Sequence, residues 1–184
     1  MNKLILIMAV AILGNCLVGC TPSVELTPTP TAVVPTVTPT PTPQWTEDEQ
    51  GAIDAVHRYI EVWIEVTQHL GDSGLNLNRI DEVAIGEHSN ETILLWLNWI
   101  DRGLHLVGEP SFEANAVVPG VMNSQGQRFD VFGCYSLEHA YLANSDGTQV
   151  PKGTADRTTA RYEVMKYTGG QYLITWNELE GEEC

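Results

Sequence analysis

Basic residues are scarce in this sequence of 184 residues, which holds 9 lysines and arginines against 24 aspartates and glutamates. The formal net charge is −15, and it becomes −16 if a leader that contains Lys3 is removed. Nucleic acids and anionic lipid surfaces are bound through basic patches. We therefore expect no nucleic-acid partner, and we expect the acidity to keep an exposed domain soluble.

Motifs of common hydrolases and nucleotide-binding enzymes are also missing. The sequence has no nucleophile elbow, no phosphate-binding loop and no metalloprotease helix motif. His57 and Glu61 do have the spacing at which one helix can offer two metal ligands or an acid–base pair. However, His57 falls at the border between the apolar and acidic faces of that helix, where a structural histidine is the common case. We expect no cofactor and no metal site, and we assign no catalytic residue.

One apolar run is long enough to direct the chain to a membrane. It covers residues 4–18, after Lys3 and before the small Gly19, and this layout is typical of a secretory signal. A membrane-spanning helix needs about 20 apolar residues, and Asn15 interrupts this shorter run. We predict that residues 1–19 are a signal peptide, with an uncleaved anchor as the alternative.

The leader ends in Leu17-Val18-Gly19-Cys20. This stretch resembles the lipobox of bacterial lipoproteins, whose cysteine receives a diacylglyceryl group and becomes the first mature residue. The resemblance implies that Cys20 is lipidated and that the protein is held at the cell membrane, on the extracytoplasmic face. Two or more acyl chains give a durable anchor, at about 0.8 kcal/mol per buried methylene. The alternative is an ordinary signal that leaves Cys20 as a free thiol.

Residues 20–43 are predicted to be a disordered tether. Seven of the ten prolines and eight threonines lie within residues 21–43, and such a composition buries too little apolar surface to fold. In the polyproline II conformation these residues would extend over roughly 70 Å. A strand at Val33-Val34 is excluded, because Pro35 and Pro39 would interrupt its hydrogen bonds.

Residues 44–184 are predicted to form one globular domain, because 141 residues suffice for a substantial core. Thr46 and Glu49 have the spacing of a capping box. Apolar residues then recur at helical intervals as far as about Leu70, and Gly71 follows. We predict one long helix over this stretch.

Two shorter helices are predicted after it, one over residues 78–85 and one that follows Asn90 and stops at Gly103. The second of these places its apolar side chains on one side, at Ile93, Trp96, Leu97 and Ile100. Trp63 and Trp96 fall on inward helix faces. They are therefore predicted to belong to the core and not to a carbohydrate-binding platform.

After Gly103 the pattern changes from helical to alternating. Four strands are predicted, over residues 104–118, 128–143, 158–167 and 171–179. The glycine pair 169–170 is short enough to close a hairpin between the last two. Helices first and antiparallel strands afterwards indicate an α+β domain, with the helices packed on one face of a bent sheet.

This order of elements, ending in the aromatic-rich strand 171–176, resembles the NTF2-like (SnoaL-like, cystatin-type) cone fold. Cysteines in the stretches 132–136 and 181–184 further resemble those of actinobacterial-type lipoproteins in that superfamily. The resemblance implies N-terminal helices on a curved antiparallel sheet of about four strands. Many cone-fold enzymes carry a small hairpin between the second and third helices. The stretch between them is too short for one here, which argues against a deep, closed pocket.

Enzymes with this fold use an aspartate or histidine in the cone as general base and a tyrosine that polarises a substrate carbonyl. Side chains of these types lie on or near the longest predicted strand and its neighbours: Asp130, Tyr135, Glu138, His139, Tyr162 and Tyr172. Side chains alternate between the two faces of a strand, so only some of these can face the cone. No motif assigns a role to any of them.

Two cysteines remain in the mature domain, Cys134 and Cys184. An exported protein meets an oxidising environment, in which such a pair tends to form a disulfide. Closing the fifty-residue interval would constrain the unfolded chain by roughly 4 kcal/mol. We predict this disulfide, with two free thiols as the alternative. A metal pair is disfavoured, because no histidine sits at ligand spacing from either cysteine.

Three functions are consistent with this sequence. The leading hypothesis is an envelope lipoprotein whose domain is a non-catalytic binding or interaction module for an envelope protein or a small ligand. The second is a small-molecule enzyme of the isomerase or dehydratase type. The third is a structural component of an envelope transport or conjugation assembly. A cavity of about 300 Å³ or more, lined by convergent Asp, His and Tyr side chains, would favour the enzyme.

Overall fold

The computed structural model describes residues 44–153, 155–181, 183 and 184. The predicted signal peptide (1–19), the predicted lipidation site Cys20 and the predicted tether (20–43) lie outside the described residues. Within the described part of the chain, no helix is both long and apolar enough to cross a membrane.

In the part of the chain that the structure describes, two α-helices and one 3₁₀ helix come first, and six β-strands follow. In chain order they are α1 (Glu47–Gln68), the 3₁₀ helix η1 (Leu77–Glu82), α2 (Glu87–Asp101), β1 (Leu104–Gly108), β2 (Ser111–Met122), β3 (Gly126–Ser136), β4 (Ala140–Asn144), β5 (Arg157–Tyr167) and β6 (Tyr172–Leu179). The predicted α+β class is confirmed.

Helix α1 begins with the predicted capping box. The Thr46 hydroxyl accepts a hydrogen bond from the Glu49 backbone N–H at 3.3 Å, and the Glu49 carboxylate accepts one from the Thr46 backbone N–H at 2.8 Å. These bonds satisfy two of the backbone donors that a helix start leaves free. One side of the helix is buried, at Ala52, Ile53, Ala55, Val56, Tyr59, Ile60, Val62, Val66 and Thr67.

The second and third helices differ from their predicted bounds. The predicted helix 78–85 is helical only as far as Glu82, as η1, and the residues after it pair with β6, where the Ile85 N–H donates to the Ile174 carbonyl. Helix α2 starts before Asn90, directly after Gly86, whose φ of 73° favours glycine. Its buried residues are His88, Ser89, Thr92 and Trp96, and Leu97 is exposed. The prediction that Leu97 faces inward was therefore wrong.

The first two predicted strands are each broken in the middle, so the prediction of four strands was wrong. They form one long antiparallel hairpin. Strands β2 and β3 pair next to its turn, and β1 and β4 pair at its open end. On one side the break occurs at residues 109–110, where Pro110 lacks the N–H that a ladder needs. On the other side it occurs at residues 137–139. The six strands thus form two sheets instead of one.

The larger sheet has the strand order β2-β3-β5-β6 and is antiparallel throughout. We call the face that packs against α1 the inner face and the opposite one the outer face. The inner face of β3 and β5 supplies core residues at Phe129, Val131, Tyr135, Ala160, Tyr162 and Val164. Pro119 lies in β2, an edge strand of this sheet, where a missing N–H is tolerated.

The cysteines Cys134 and Cys184 are joined, as predicted, with their sulfurs 2.02 Å apart and their Cα atoms 5.8 Å apart. Cys134 alternates with Tyr135 and therefore lies on the outer face of β3. The bond fastens the residues after β6 to the middle of the larger sheet.

Candidate functional site

A cavity of about 370 Å³ opens between the two helices, the inner face of the larger sheet and the small sheet. Helices α1 and α2, all strands except β2, and the segment 150–153 contribute to its walls. The lining residues are Tyr59, Ile60, Trp63, Thr92, Leu95, Trp99, Leu106, Tyr135, Leu137, Ala140, Tyr141, Leu142, Val150, Pro151, Lys152, Gly153, Tyr162, Asn177 and Leu179. Its volume lies within the range of small-molecule sites.

Most of the cavity wall is apolar and aromatic. Trp63 of α1 and Trp99 of α2 meet edge to face, with ring centroids 5.5 Å apart. Among the described lining residues there is no aspartate, glutamate or histidine, and Lys152 is the one charged side chain. Its ammonium group pairs with the Asp156 carboxylate and donates to the Leu137 carbonyl at 2.9 Å. The cavity therefore presents no uncompensated charge.

The polar part of the wall consists of Thr92, Asn177, Lys152 and four tyrosines, of which Tyr141 is partly exposed and the other three are buried. Tyr59 comes from α1, Tyr135 from β3 and Tyr162 from β5, and the Tyr59 and Tyr162 ring centroids lie 6.0 Å apart. Burial raises the pKa of Tyr59 to about 12, and burial likewise raises the pKa of Tyr135 and of Tyr162. All three side chains are therefore uncharged hydroxyls at neutral pH.

Behind Tyr59 lies His88 of α2, which is buried. Its Nε2 atom is 3.1 Å from the Tyr59 hydroxyl oxygen, and the two rings are 5.4 Å apart. Burial lowers the pKa of His88, so the imidazole is uncharged at neutral pH. The Thr92 hydroxyl donates to the His88 carbonyl, one turn earlier in α2, at 2.8 Å. Of the three tyrosines, Tyr59 alone has a hydrogen-bond partner among the described side chains.

Only two of the six predicted cone residues meet at this cavity, namely Tyr135 and Tyr162. Asp130 is on the outer face, where its carboxylate accepts hydrogen bonds from the Arg161 guanidinium at 2.9 and 3.2 Å. Asp130 and Tyr135 are at even and odd positions of β3 and therefore face opposite sides of the sheet, as the alternation of strand side chains predicts.

The remaining predicted residues are dispersed. Glu138 and His139 are exposed at the bend between β3 and β4. Tyr172 lies near the start of α1, where its hydroxyl donates to the Asp48 carboxylate at 3.0 Å. His57 and Glu61 are exposed on α1. Within the described residues, no group of three or more His, Cys, Asp and Glu side chains is placed to hold a metal.

Two residues at the site were missed by sequence reasoning, Tyr59 and His88. Tyr59 carries a usable signal, because it follows Val56 by three residues and precedes Trp63 by four, on the buried side of α1. His88 carries none. Its burial depends on where α2 begins, and a polar residue at the start of a helix is ordinarily read as exposed.

Comparison with known proteins does not identify a family. No protein-family model matches the sequence, and no curated protein matches it. The chain is similar in structure to the intermembrane space region of the chloroplast protein ARC6, at 13% identity and a TM-score of 0.45, over 70% of this chain and 96% of that one.

It is also similar to two structures from Catenulispora acidiphila, both at 13% identity and over 71% of this chain. One, in complex with S-DNPA, has a TM-score of 0.38 over 92% of its own chain, and the other has a TM-score of 0.35 over 90%. At these TM-scores and identities the three similarities assign neither a family nor a function to this chain.

Proposed function

We propose that this protein is a membrane-anchored envelope lipoprotein whose domain, residues 44–184, binds a small molecule in the cavity between its helices and sheets. The observation that supports the proposal is the cavity itself. It has the volume of a small-molecule site, an apolar and aromatic wall, and a few polar groups that come from both helices and several strands. The sequence-based hypothesis of a binding or interaction module is thereby narrowed to a module that binds a small ligand.

A binding role is favoured over isomerase or dehydratase chemistry. Proton transfer needs a general base within hydrogen-bond reach of the substrate. The described lining residues supply tyrosine hydroxyls but no carboxylate and no imidazole, and His88 reaches the cavity only through Tyr59. No feature of the described residues specifically favours a structural role in a transport or conjugation assembly.

We further propose that the domain is of the NTF2-like cone type. Two features support this assignment, namely the long helix α1 against the inner face of a four-stranded antiparallel sheet and the order of helices before strands. The break of the long hairpin into a second, two-stranded sheet is a departure, and it is this second sheet that completes the cavity wall. An experimental structure in which α1 lay away from the inner face would contradict the assignment.

The anchor is tested by mutating the cysteines of the leader region. We expect Cys20→Ala to release the protein from the membrane or to leave it as uncleaved precursor, because the acyl chains are the strong attachment after cleavage. Cys16→Ala is the matched control and should leave fractionation and processing unchanged. A Cys20→Ala protein that is processed and still membrane-bound would contradict the proposed anchor.

The cavity is tested with the uncharged fluorescent dye Nile red, which brightens in apolar surroundings. Leu95 lines the cavity and is 43% exposed, while its neighbour Leu94 is 65% exposed and does not line it. We expect Leu95→Glu to weaken dye binding at least about fivefold, because it puts a carboxylate at an apolar wall. Leu94→Glu adds the same charge to the same helix and should have no effect. Equal affinities in both variants would contradict binding in the cavity.

A further inference from the structure

We infer that the ligand is an uncharged, largely apolar molecule with one oxygen-bearing polar end, and that this end is held by the hydroxyls of Tyr135 and Tyr162. This inference rests on the proposed binding function and specifies the chemistry that the cavity selects. It follows from the position of the two tyrosines, from their lack of protein partners and from the absence of net charge at the cavity wall.

The two tyrosines lie on neighbouring strands and share the inner face. Tyr162 of β5 is paired in register with Val131 of β3, and Tyr135 is paired with Thr158. The side chains are 8% exposed for Tyr135 and 2% exposed for Tyr162, yet both line the cavity. The two pairs are four positions apart along the strands, so the tyrosines approach the cavity from different levels of the sheet, and a ligand that contacts both must bridge them.

Neither hydroxyl makes a hydrogen bond to another described residue, in contrast to the Tyr59 hydroxyl beside His88. Neither oxygen is among the fully buried side-chain atoms of the described residues that lack a partner, so each hydroxyl is accessible from the cavity, where a ligand can complete its hydrogen bonding. Each phenol can donate one hydrogen bond and accept others. A ligand oxygen within reach of either phenol can therefore accept from it, and a ligand hydroxyl can in addition donate to it.

The wall also selects against charge. The three tyrosines are uncharged because burial raises the pKa of each phenol. The ammonium group of Lys152 is already paired with Asp156. An ionised carboxylate or ammonium group is strongly disfavoured away from water unless a counter-charge meets it. A carboxylate-bearing relative of the ligand is thus expected to bind more weakly than the uncharged molecule.

The test uses three probes of similar size that differ at one end: 4-cyclohexylphenol, cyclohexylbenzene and 4-cyclohexylbenzoate. The protein is the full mature chain with Cys20→Ser, secreted through a signal without a lipobox so that it carries no lipid. Affinities are measured by calorimetry at neutral pH. We expect the phenol to bind about tenfold more tightly than the hydrocarbon, as one or two hydrogen bonds would give, and the carboxylate to bind most weakly.

The variants Tyr135→Phe and Tyr162→Phe remove one hydroxyl each and keep the ring. Each should reduce the preference for the phenol over the hydrocarbon by about three- to tenfold, while affinity for the hydrocarbon stays unchanged. Tyr167→Phe, the same change outside the cavity lining, is the control. Because the hydrocarbon makes no hydrogen bond, its affinity shows whether the cavity of each variant is correctly folded.

The outcomes separate this inference from the proposed function. If phenol and hydrocarbon bind equally, or if the tyrosine variants leave their ratio unchanged, the assigned ligand end is wrong while the apolar cavity still binds. Tightest binding by the carboxylate would likewise overturn the inference. If none of the three probes binds and Nile red does not bind either, the proposed binding function fails, and the inference fails with it.

Discussion

Alternate residues of β3 and β5 face opposite sides of the larger sheet, and the two sides treat buried polar groups differently. On the inner face, Tyr135 and Tyr162 are buried beside the cavity without a hydrogen-bond partner among the described residues. On the outer face, Asp130 is buried to a similar degree, but its carboxylate accepts hydrogen bonds from two arginines, Arg161 and Arg128.

The outer-face partners form a connected group. The Arg161 guanidinium lies 5.8 Å from the ring centroid of Phe132 and 5.3 Å from that of Trp176. Arg128 also pairs with Glu163, at 3.1 Å. A buried carboxylate requires such partners because its desolvation otherwise costs too much free energy, whereas the cost of burying an uncharged hydroxyl is far smaller.

The difference separates stability from function within two strands. The Asp130 carboxylate of the outer face is paired within the protein, so its contribution is to the folded state. The inner-face hydroxyls contribute little to the folded state, and their bonding capacity is available to a ligand. Substitutions of polar side chains on the two faces should therefore have opposite consequences for stability and binding, whereas the apolar side chains of the inner face belong to the core.

The largest difference is expected between two phenylalanines of β3. Phe129 is 1% exposed on the inner face, and Phe132 is partly exposed on the outer face. We expect Phe129→Ala to lower the free energy of unfolding by about 3 to 5 kcal/mol because it leaves a cavity in the core. Phe132→Ala should cost about 1 kcal/mol, through lost contact with Arg161. Urea denaturation of both variants measures this, and equal losses would remove the distinction between the faces.

The disulfide is the covalent element of the outer face. Replacing Cys134 and Cys184 together by serine should lower the free energy of unfolding by about 2 to 4 kcal/mol, because the fifty-residue loop is no longer closed in the unfolded chain. Intact mass with and without reductant, under alkylation, checks the bond in protein from the envelope, and denaturant melts check its effect. Two freely alkylated thiols would refute the bond, and unchanged melts would refute its structural role.

An effect of intermediate size on stability is expected for two buried polar residues on opposite faces of the sheet, Asp130 and Tyr162. Asp130→Asn should destabilise the protein by about 1 to 2 kcal/mol, since hydrogen bonds to charged groups are lost. Tyr162→Phe should change stability by less than about 0.5 kcal/mol, because its hydroxyl has no partner in the described protein. Thermal and urea unfolding of the two single variants decide this. A large loss for Tyr162→Phe would show that its hydroxyl is satisfied within the protein.

The smallest effect concerns His88, the buried imidazole behind Tyr59. Burial lowers its pKa from the ordinary value of 6.5, so below that pH the unfolded chain binds a proton more readily than the folded one. The free energy of unfolding is therefore not reduced by this histidine above pH 6.5. It decreases as the pH falls from 6.5 through the folded-state pKa. We expect His88→Asn to flatten the acid limb of the stability profile, and exposed His139→Asn to leave it unchanged. Identical profiles for wild type and His88→Asn would contradict this.

The amino-acid sequence by itself determined the features that depend on neighbouring residues. The capping box of Thr46 and Glu49 and the apolar stripe of α1 are local patterns, and the structure confirms both. The change from helical to alternating periodicity near Gly103 gave the α+β class. The pairing of Cys134 with Cys184 followed from the number of cysteines expected in the mature chain. The lipidation of Cys20 and the tether stay predictions.

Only the tertiary structure decided which residues meet. The break at residues 109–110 leaves the alternating pattern intact on both sides, so one strand was predicted from the sequence where the fold has two strands in different sheets. The start of α2 fixed which side of that helix is buried and thereby placed His88 against Tyr59. Asp130 and Tyr135 are five residues apart on one strand, and their opposite faces gave one an ion pair and the other a cavity. The physical reason is that a cavity is formed by side chains distant in sequence, whose convergence depends on strand register and helix rotation, which local patterns do not encode.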